Sequence, residues 1–350
     1  MISQNPIIGT ALHAIGGISA STCYLPFQKT KRWSWESYWI IQASFAWLIM
    51  PVVIGLLTVP HLFSVLHSAP GSAMTIALVL GAVYGFGGLS FGYAIRHIGY
   101  SLTYTISIGI SAVLGTITPL ILNGTLIKKF QEPGGLILLS GISLSIVGVI
   151  ICGIAGYRKE KDINRGNNPG GSGYFNIRKG LILTLIAGVL SAVFGISLEY
   201  GQPISDVAAQ NGAGYFQGNA KIIISTAGCY ITNFTWFIIL GIKQGTLKEI
   251  IQVKELGSKT ITLNFFWAIL SGSLWYFQFF FYGLGHVKMG NFGFASWVIH
   301  MSMLVFFSYL VGLIMKEWKM VSRRTYNTLL IALAILVVSF FIIGFGTTNY

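Results

Sequence analysis

Three side chains that can exchange a proton lie inside long apolar stretches of this sequence. Glu199 has no Lys or Arg within fifteen residues on either side, His300 lies near the middle of one stretch, and His13 lies in the first. Ionisable groups inside a membrane-spanning segment are costly and mark proton or substrate pathways. A carboxyl group kept from water can hold a proton near neutral pH, and histidine titrates in that range unaided. We therefore predict that Glu199, His300 and His13 are candidates for carrying a proton.

Each of these side chains also has a structural alternative. Glu199 could be an acid at the outer rim of its helix or one that is hydrogen-bonded within the protein, and either histidine could be a neutral, hydrogen-bonded core residue. Metal binding is not favoured, because the His, Cys and acidic residues lack the spacing of a metal site.

The composition places these residues in a membrane protein. Of 350 residues, 54% are hydrophobic and 9% are charged, whereas soluble proteins carry about 25% charged residues. A spanning helix needs about 20 mostly apolar residues, and ten such stretches with short connections use nearly the whole chain. The ten predicted helices span 6–27, 37–59, 72–95, 99–124, 133–156, 178–202, 219–242, 261–285, 289–316 and 325–347.

The basic residues alternate between the two sides of these stretches. Of the 22 Lys and Arg, the even-numbered connections hold only Lys128, Lys129, Lys221 and Lys288, and the odd-numbered connections hold the other 18. The positive-inside bias therefore predicts cytoplasmic odd connections and both termini outside. The net charge of +13 is then explained by loops that face anionic lipid. Nucleic-acid binding is not favoured, because no basic stripe interleaves with exposed aromatic residues.

A charged and then Gly/Asn-rich linker divides the chain. It covers 157–177 and follows the fifth apolar stretch. Because five is odd, the flanking halves must have opposite orientations in the membrane, as in inverted-repeat transporters. The predicted organisation is a five-helix repeat over 1–156, a cytoplasmic linker over 157–177, and a second five-helix repeat over 178–350. Near the start of the second helix, Trp33, Trp35 and Trp39 fit an interfacial aromatic belt.

Several runs resemble one known family, in order along the chain. They are Tyr24-Leu25-Pro26-Phe27, Trp33-Ser34-Trp35-Glu36, the aromatic run from Trp275 to Tyr282, Gly285-His286, Ser296-Trp297 and His300-Met301-Ser302. The sequence is similar over nearly its whole length to the L-rhamnose–proton symporter family of the drug/metabolite transporter superfamily. The resemblance implies a ten-helix inverted repeat, inward transport of a 6-deoxyhexose, and coupling to protons, with no cofactor.

A site for such a sugar needs convergent hydrogen-bonding groups and an aromatic wall. The eighth helix offers two aromatic rings beside Gln278, whose amide is expensive to bury without a partner. The fourth helix adds one stripe with i, i+3, i+7 spacing, and the third and ninth helices add aromatic residues. The predicted sugar-binding candidates are Trp275, Tyr276, Gln278, Trp297, His300, Tyr104, Ser107, Ser111 and Tyr84. The alternatives are an aromatic belt for the rings and helix–helix hydrogen bonds for the serines.

Other functions fit the sequence less well. A carrier of another sugar or small metabolite, or an exporter, is compatible with the same architecture, since fold does not fix substrate. A membrane sensor is disfavoured because no soluble output domain fits in the chain. An enzyme is disfavoured because no nucleophile–base pair, metal cluster or glycine-rich phosphate loop is present. The expected partners are a sugar and the lipid bilayer of a bacterial inner membrane, and the oligomeric state stays open.

Overall fold

The computed structural model describes residues 4–98, 100–166, 176–251 and 257–346. This part of the chain is α-helical with a few short 3-10 turns, and it holds no β-strand. The helices are α1 (Pro6–Thr22), α2 (Trp35–Ser44), α3 (Met50–Thr58), α4 (Leu62–Ser68), α5 (Gly71–Ile98), α6 (Tyr100–Leu122), α7 (Leu126–Gln131), α8 (Gly135–Gly166), α9 (Ile177–Tyr200), α10 (Gln202–Gln210), α11 (Gly218–Gln244), α12 (Ser258–Met289), α13 (Ser296–Ile314) and α14 (Arg323–Gly346). A π-helical turn, Phe45–Ile49, joins α2 to α3.

Within the described residues, eight helical stretches are long and apolar enough to cross a membrane. They are Trp35–Thr58, Gly71–Ile95, Leu102–Leu122, Gly135–Ile163, Arg178–Gln210, Gly214–Gln244, Ser258–Ile314 and Arg323–Gly344. Isoleucine, leucine and phenylalanine side chains lie exposed on many of them. Such surfaces suit lipid, because a helix satisfies its backbone hydrogen bonds internally. The fold class is therefore an all-α integral membrane protein.

Several helix boundaries differ from those predicted. The first helix ends at Thr22, and a 3-10 turn, Leu25–Lys29, follows with a proline near its start. Helix α12, which corresponds to the eighth predicted helix, continues to Met289. Helix α13, which corresponds to the ninth, begins only at Ser296. Between them Gly290 has a φ of 55°, a left-handed conformation that glycine adopts without strain and that ends a helix. Apolarity alone does not reveal such a break.

The chain is divided into two compact units. Unit 1 comprises Met1–Ile18, Gly87–Ile196 and Leu284–Tyr350. Within it α8 packs along α14, and α6 packs against α8 and α13. Tyr309 is buried in this core, where its hydroxyl donates to the Cys152 carbonyl at 2.7 Å and hydrogen-bonds the Thr105 hydroxyl at 2.6 Å. These bonds tie α13 to α8 and α6.

Unit 2 comprises Ser19–Phe86 and Ser197–Gly283. Here α11 packs against α2, α3 and α10. It also meets α5 backbone to backbone, because a side chain on Gly81 would collide with the Ser225 carbonyl and one on Gly228 with the Leu78 carbonyl. Close approach through glycine is typical of membrane helices, since lipid supplies no hydrophobic drive between them.

The tryptophans predicted to form an interfacial belt lie mostly inside unit 2. Trp33 and Trp39 are only 7% and 3% exposed. The Trp33 indole donates to the Glu249 carbonyl at 3.0 Å, and the Trp39 indole donates to Asn233 at 3.3 Å. The belt prediction is therefore wrong for both, because partners distant in sequence satisfy their N–H groups inside the protein.

Candidate functional site

Two predicted proton carriers, His13 and His300, contact each other in unit 1. Both are fully buried, and their ring centroids are 5.7 Å apart with the planes at 67°. The His300 ring also interacts with the main chain of His13. Two glycines permit this approach: a Cβ on Gly17 would lie 3.1 Å from the Met303 backbone, and one on Gly285 would lie 2.9 Å from the His13 ring.

A third imidazole lies near this pair. His286, on the last turns of α12, is within electrostatic range of His13, and a Cβ on Gly293 would lie 3.3 Å from its ring. The sequence indicated no proximity, since 273 residues separate His286 from His13. Among the described residues no group of three or more His, Cys, Asp and Glu could hold a metal ion. The three imidazoles therefore lie together in unit 1.

Trp297, which lies on the same helix as His300, contacts the stripe of Tyr104, Ser107 and Ser111 that the sequence predicted on α6. Its indole N–H donates to the Ser111 carbonyl at 2.9 Å, and its ring packs onto Gly115 and Gly195, where a side chain would collide with it. Tyr104, Ser107 and Ser111 are all buried, and the Tyr104 ring lies 5.6 Å from that of Phe91. These sequence-predicted residues therefore share unit 1 with His13 and His300.

Several buried hydroxyl groups of unit 1 have no hydrogen-bond partner among the described residues. They belong to Thr10, Thr103, Ser111, Thr116, Ser296 and Ser302. A buried polar group left unsatisfied costs about 1–3 kcal/mol, so water or a bound polar molecule is expected beside them. Ser296 directly precedes Trp297 in the sequence, and the Ser111 carbonyl accepts the Trp297 indole hydrogen bond. Trp297 therefore places an aromatic surface near two hydroxyls that have no partner among the described residues.

A cavity in unit 1 has a different character. It holds about 680 Å³ and is lined chiefly by aliphatic side chains of α6 and α8, with Thr105, Tyr157 and Ser302 among them. None of the predicted sugar-binding residues lines it. An apolar wall without convergent polar groups does not suit a polyhydroxylated ligand.

Unit 2 holds the other aromatic candidates. Trp275, Tyr276 and Gln278 are all buried on α12, and the Trp275 ring meets Trp47 edge-on at 5.3 Å. The Tyr276 hydroxyl has no hydrogen-bond partner among the described residues. Trp275 and Gln278 are three residues apart and therefore share a helix face, whereas Tyr276 points about 100° away. Tyr84 lies half-buried on α5 in the same unit.

Gln42 is a buried polar residue that the sequence prediction missed. Neither its amide nitrogen nor its amide oxygen has a partner within the described part of the chain. It lies on α2, where the Gln42 carbonyl faces Gly272 of α12, one turn before Trp275. The sequence could have indicated Gln42, because it is an amide within an apolar stretch, and Gln278 was selected by that same criterion.

Glu199 has a neighbour that its flanking sequence does not reveal. Lys221, counted with an outer connection although it falls near the start of the predicted helix 219–242, lies inside α11 and is only 3% exposed. Its ammonium group donates to the Gln202 side-chain oxygen at 2.5 Å and interacts electrostatically with Glu199 and Asp206. Gln202 in turn donates to Asp206 at 2.9 Å. The half-buried Glu199 is therefore part of a charged network of unit 2, not an isolated acid.

The apolar helices and the buried ionisable side chains define a multi-pass membrane protein of the carrier class. The family model described as L-rhamnose-proton symport protein (RhaT) matches residues 2–349. The chain belongs to this family, which is a family of transporters and not of enzymes.

Named relatives agree with this assignment. The chain is similar to the L-rhamnose-proton symporter of Escherichia coli (strain 55989 / EAEC), with 32% identity over 346 residues, 98% of each chain. It is also similar to the L-rhamnose-proton symporters of Yersinia pestis (strain Pestoides F), with 32% identity over 97% of this chain and 98% of the relative, and of Shigella boydii serotype 18, with 31% identity over 98% of each.

Proposed function

We propose that this protein imports L-rhamnose or a closely related 6-deoxyhexose together with protons across the bacterial inner membrane. The observation that carries the proposal is the family match over residues 2–349, together with relatives named for this activity. The mechanism is alternating access. A proton and the sugar bind from outside, and the loaded carrier opens to the cytoplasm. Coupling requires that each ligand favours the other's binding, with equal and reciprocal effects on affinity.

The proton binds at Glu199 or at the histidine pair. Glu199 lies at the end of α9, half-buried and electrostatically linked to Lys221. His300 and His13 are buried in ring contact, so an added proton there would be shielded from bulk water. Intramembrane ionisable groups of both kinds serve as proton relays in transporters. Protons are the coupling ion, and no cofactor takes part.

The sugar binds through aromatic and amide or hydroxyl groups of the predicted set. The unpartnered hydroxyls of Ser111 and Ser296 beside the Trp297 ring support one binding surface. Trp275 with Gln278 on one face of α12, together with Tyr276 and Tyr84, supports another. The methyl group and apolar face of a 6-deoxyhexose match the rings, and its hydroxyls match the polar groups.

The membrane topology is ten helices in two inverted five-helix repeats, with both termini outside. Two observations support ten rather than eight spans. Ser258–Ile314 has 57 residues and contains both α12 and α13, and at about 1.5 Å per residue a single helix of that length would exceed the roughly 30 Å hydrocarbon core nearly threefold. Helix α1 has 17 residues, most of them apolar, at the lower end of the range of a spanning helix.

The division into units supports the inverted repeat. The unit boundaries fall inside α1 and α5 and then inside α9 and α12, which are the first and third spanning helices of the halves 1–156 and 178–350. Equivalent helices of the two halves are thus divided in the same way. Residues 167–175 of the proposed 157–177 linker lie outside the described residues.

Transport in proteoliposomes tests the function directly. Purified protein is reconstituted, and uptake of labelled L-rhamnose is measured with the external solution more acidic than the lumen. We expect accumulation above equilibrium that a protonophore abolishes and that protein-free liposomes lack. L-Mannose, which differs by a hydroxyl at C6, serves as the competitor that reports on the methyl group. Folded protein that takes up no rhamnose would disprove the assigned substrate and direct a screen of other small metabolites, with outward transport included.

A further inference from the structure

One surface groove of unit 1 has no role in the transport mechanism proposed above. It is the cavity of about 680 Å³ that α6, α8 and the start of α9 line, and it is termed the α6–α8 groove. Leu102 and Val149 are buried parts of its lining, whereas Ile150 and Ile154 are exposed. Since both isoleucines belong to the candidate span Gly135–Ile163, the groove opens toward lipid.

Glycine residues give the groove its shape. A Cβ on Gly109 would lie 2.8 Å from the Val149 side chain, so α6 and α8 approach each other closely at that point. Gly153 also lines the groove, and a Cβ there would lie 3.7 Å from the Thr105 Cγ2, which is an ordinary van der Waals contact. The glycine at 153 therefore leaves room that a larger side chain would occupy.

The lining offers little to a polar ligand. The Thr105 hydroxyl is already hydrogen-bonded to the Tyr309 hydroxyl at 2.6 Å, Ser302 is fully buried, and Tyr157 lies at one end of the groove on α8. The remaining lining residues are aliphatic or glycine. Such a wall suits a hydrocarbon chain, because it exchanges only apolar surface with its occupant.

The length of the groove matches that of an acyl chain in one leaflet. Along α6 the lining runs from Leu102 to Leu114, and at about 1.5 Å per residue this distance is about 18 Å. One leaflet is half of the roughly 30 Å hydrocarbon core. A single chain lying along the helices would therefore fill the groove.

Basic side chains continue the walls beyond one end of the groove. On α8 the lining residues follow helical spacing from Ile146 to Tyr157, and Lys161 lies on the same face one turn further on. On α9, Arg178 precedes the lining residue Leu181 by three positions and shares its face. Both basic side chains are exposed, and neither forms an ion pair with another described residue.

The acidic residues at this end have other partners. Asp162 accepts a hydrogen bond from the Ser322 backbone N–H at 2.9 Å. Glu317 pairs with Lys159 at 2.8 Å, and the half-buried Glu160 also interacts electrostatically with Lys159. The end of the groove therefore presents positive charge that these acids do not compensate.

We propose that the α6–α8 groove binds one anionic phospholipid, with an acyl chain along the groove and the headgroup phosphate at Lys161 and Arg178. Basic pockets between membrane helices bind anionic lipid headgroups, and each cation near the membrane surface strengthens the attraction about fivefold. Tyr157 lies between the chain and the headgroup, where tyrosine is enriched in membrane proteins. The inference goes beyond the proposed function, because it involves neither the sugar nor the proton.

Native mass spectrometry of the full-length protein tests the headgroup contact. Detergent-solubilised protein is titrated with phosphatidylglycerol and, separately, with phosphatidylcholine that has the same acyl chains. We expect the first phosphatidylglycerol to bind at least about tenfold more tightly. The double variant Lys161→Gln/Arg178→Gln should lose this preference. Lys243→Gln/Lys248→Gln should retain it, since it removes two exposed cations of unit 2.

Gly153→Leu tests the acyl-chain site. Its side chain should weaken the binding of both lipids about tenfold, the cost of displacing about two methylene groups from the groove. Gly92→Leu is the matched control, because Gly92 lies in α5 of the same unit, outside the groove lining, and a Cβ there would meet no described atom within 4 Å. Should Gly153→Leu not fold, as judged by size-exclusion chromatography, Ile150→Trp fills the groove from its exposed side.

Three outcomes would overturn the inference. The first is equal affinity of the wild type for the two lipids, or an equal loss of preference in Lys243→Gln/Lys248→Gln. The second is unchanged lipid binding in a folded groove-filling variant. The third is a dimer that retains neither lipid and that Gly153→Leu dissociates, which would assign the groove to a second copy of this chain. None of these measurements depends on transport, so the proposed function is tested separately.

Discussion

The two units hold ionisable groups in opposite electrostatic arrangements. In unit 1, His13 and His300 are like groups in ring contact, and two positive charges there would repel. In unit 2, Glu199 and Lys221 are opposite groups that compensate each other when both are ionised. The histidine pair therefore accommodates at most one added charge, whereas the acid–base pair gains a net charge on taking up a proton.

The largest expected effect is that of Glu199→Gln. Loss of the carboxyl should abolish proton-driven accumulation of L-rhamnose and spare sugar exchange between equal pools, because exchange needs no net proton movement. Both are measured in proteoliposomes. Glu132→Gln is the control, since Glu132 forms a partly exposed ion pair with Lys129. Full accumulation in Glu199→Gln would assign coupling to the histidines of unit 1.

His300→Gln should act next most strongly. We expect about tenfold slower proton-driven uptake, equivalent to about 1.4 kcal/mol, and an altered pH profile, because the amide cannot exchange a proton. If the rings act as a pair, His13→Gln should do the same and the double variant should be no worse than either single one. Additive losses of uptake rate in the double variant, or an unaltered pH profile, would show that both rings serve packing only.

Gln278→Ala separates the two aromatic surfaces. If α12 contacts the sugar, loss of one hydrogen bond of about 1 kcal/mol should raise the dissociation constant about fivefold. Calorimetric titration of the detergent-solubilised protein with L-rhamnose measures this. Ser111→Ala is the corresponding change in unit 1. An unchanged affinity in one variant removes that surface from the sugar site.

Gln42→Leu should have the smallest effect. If its unpartnered amide contacts sugar, affinity should fall by up to about fivefold, with little loss of stability because no protein hydrogen bond is broken. Thermal unfolding and sugar titration on the same sample distinguish the two. Raised stability with unchanged affinity would identify Gln42 as a buried polar group that serves no ligand.

Most of the helical architecture could be predicted from the sequence, because lipid-facing helices are apolar along their whole length. Buried site residues could be predicted only where their depth within a single apolar helix already implies burial. His300, Trp275 and Ser111 are buried as expected. Lys221 was placed outside, because its compensating groups lie on α9 and α10, and nothing in its own surroundings announces them. The burial of Trp39 could not be predicted for the same reason, since its hydrogen-bond partner Asn233 lies 194 residues away in the sequence.

The division of the chain into units bears on how the protein is made. Unit 2 is incomplete until residues 197–283 have been synthesised, and unit 1 until 284–350 have followed. The helices before residue 167 must therefore enter the bilayer before most of their packing partners exist, as inserted helices that associate later. Premature release of the nascent chain after the linker would leave a half with two unfinished cores, a substrate for membrane proteases rather than a functional fragment.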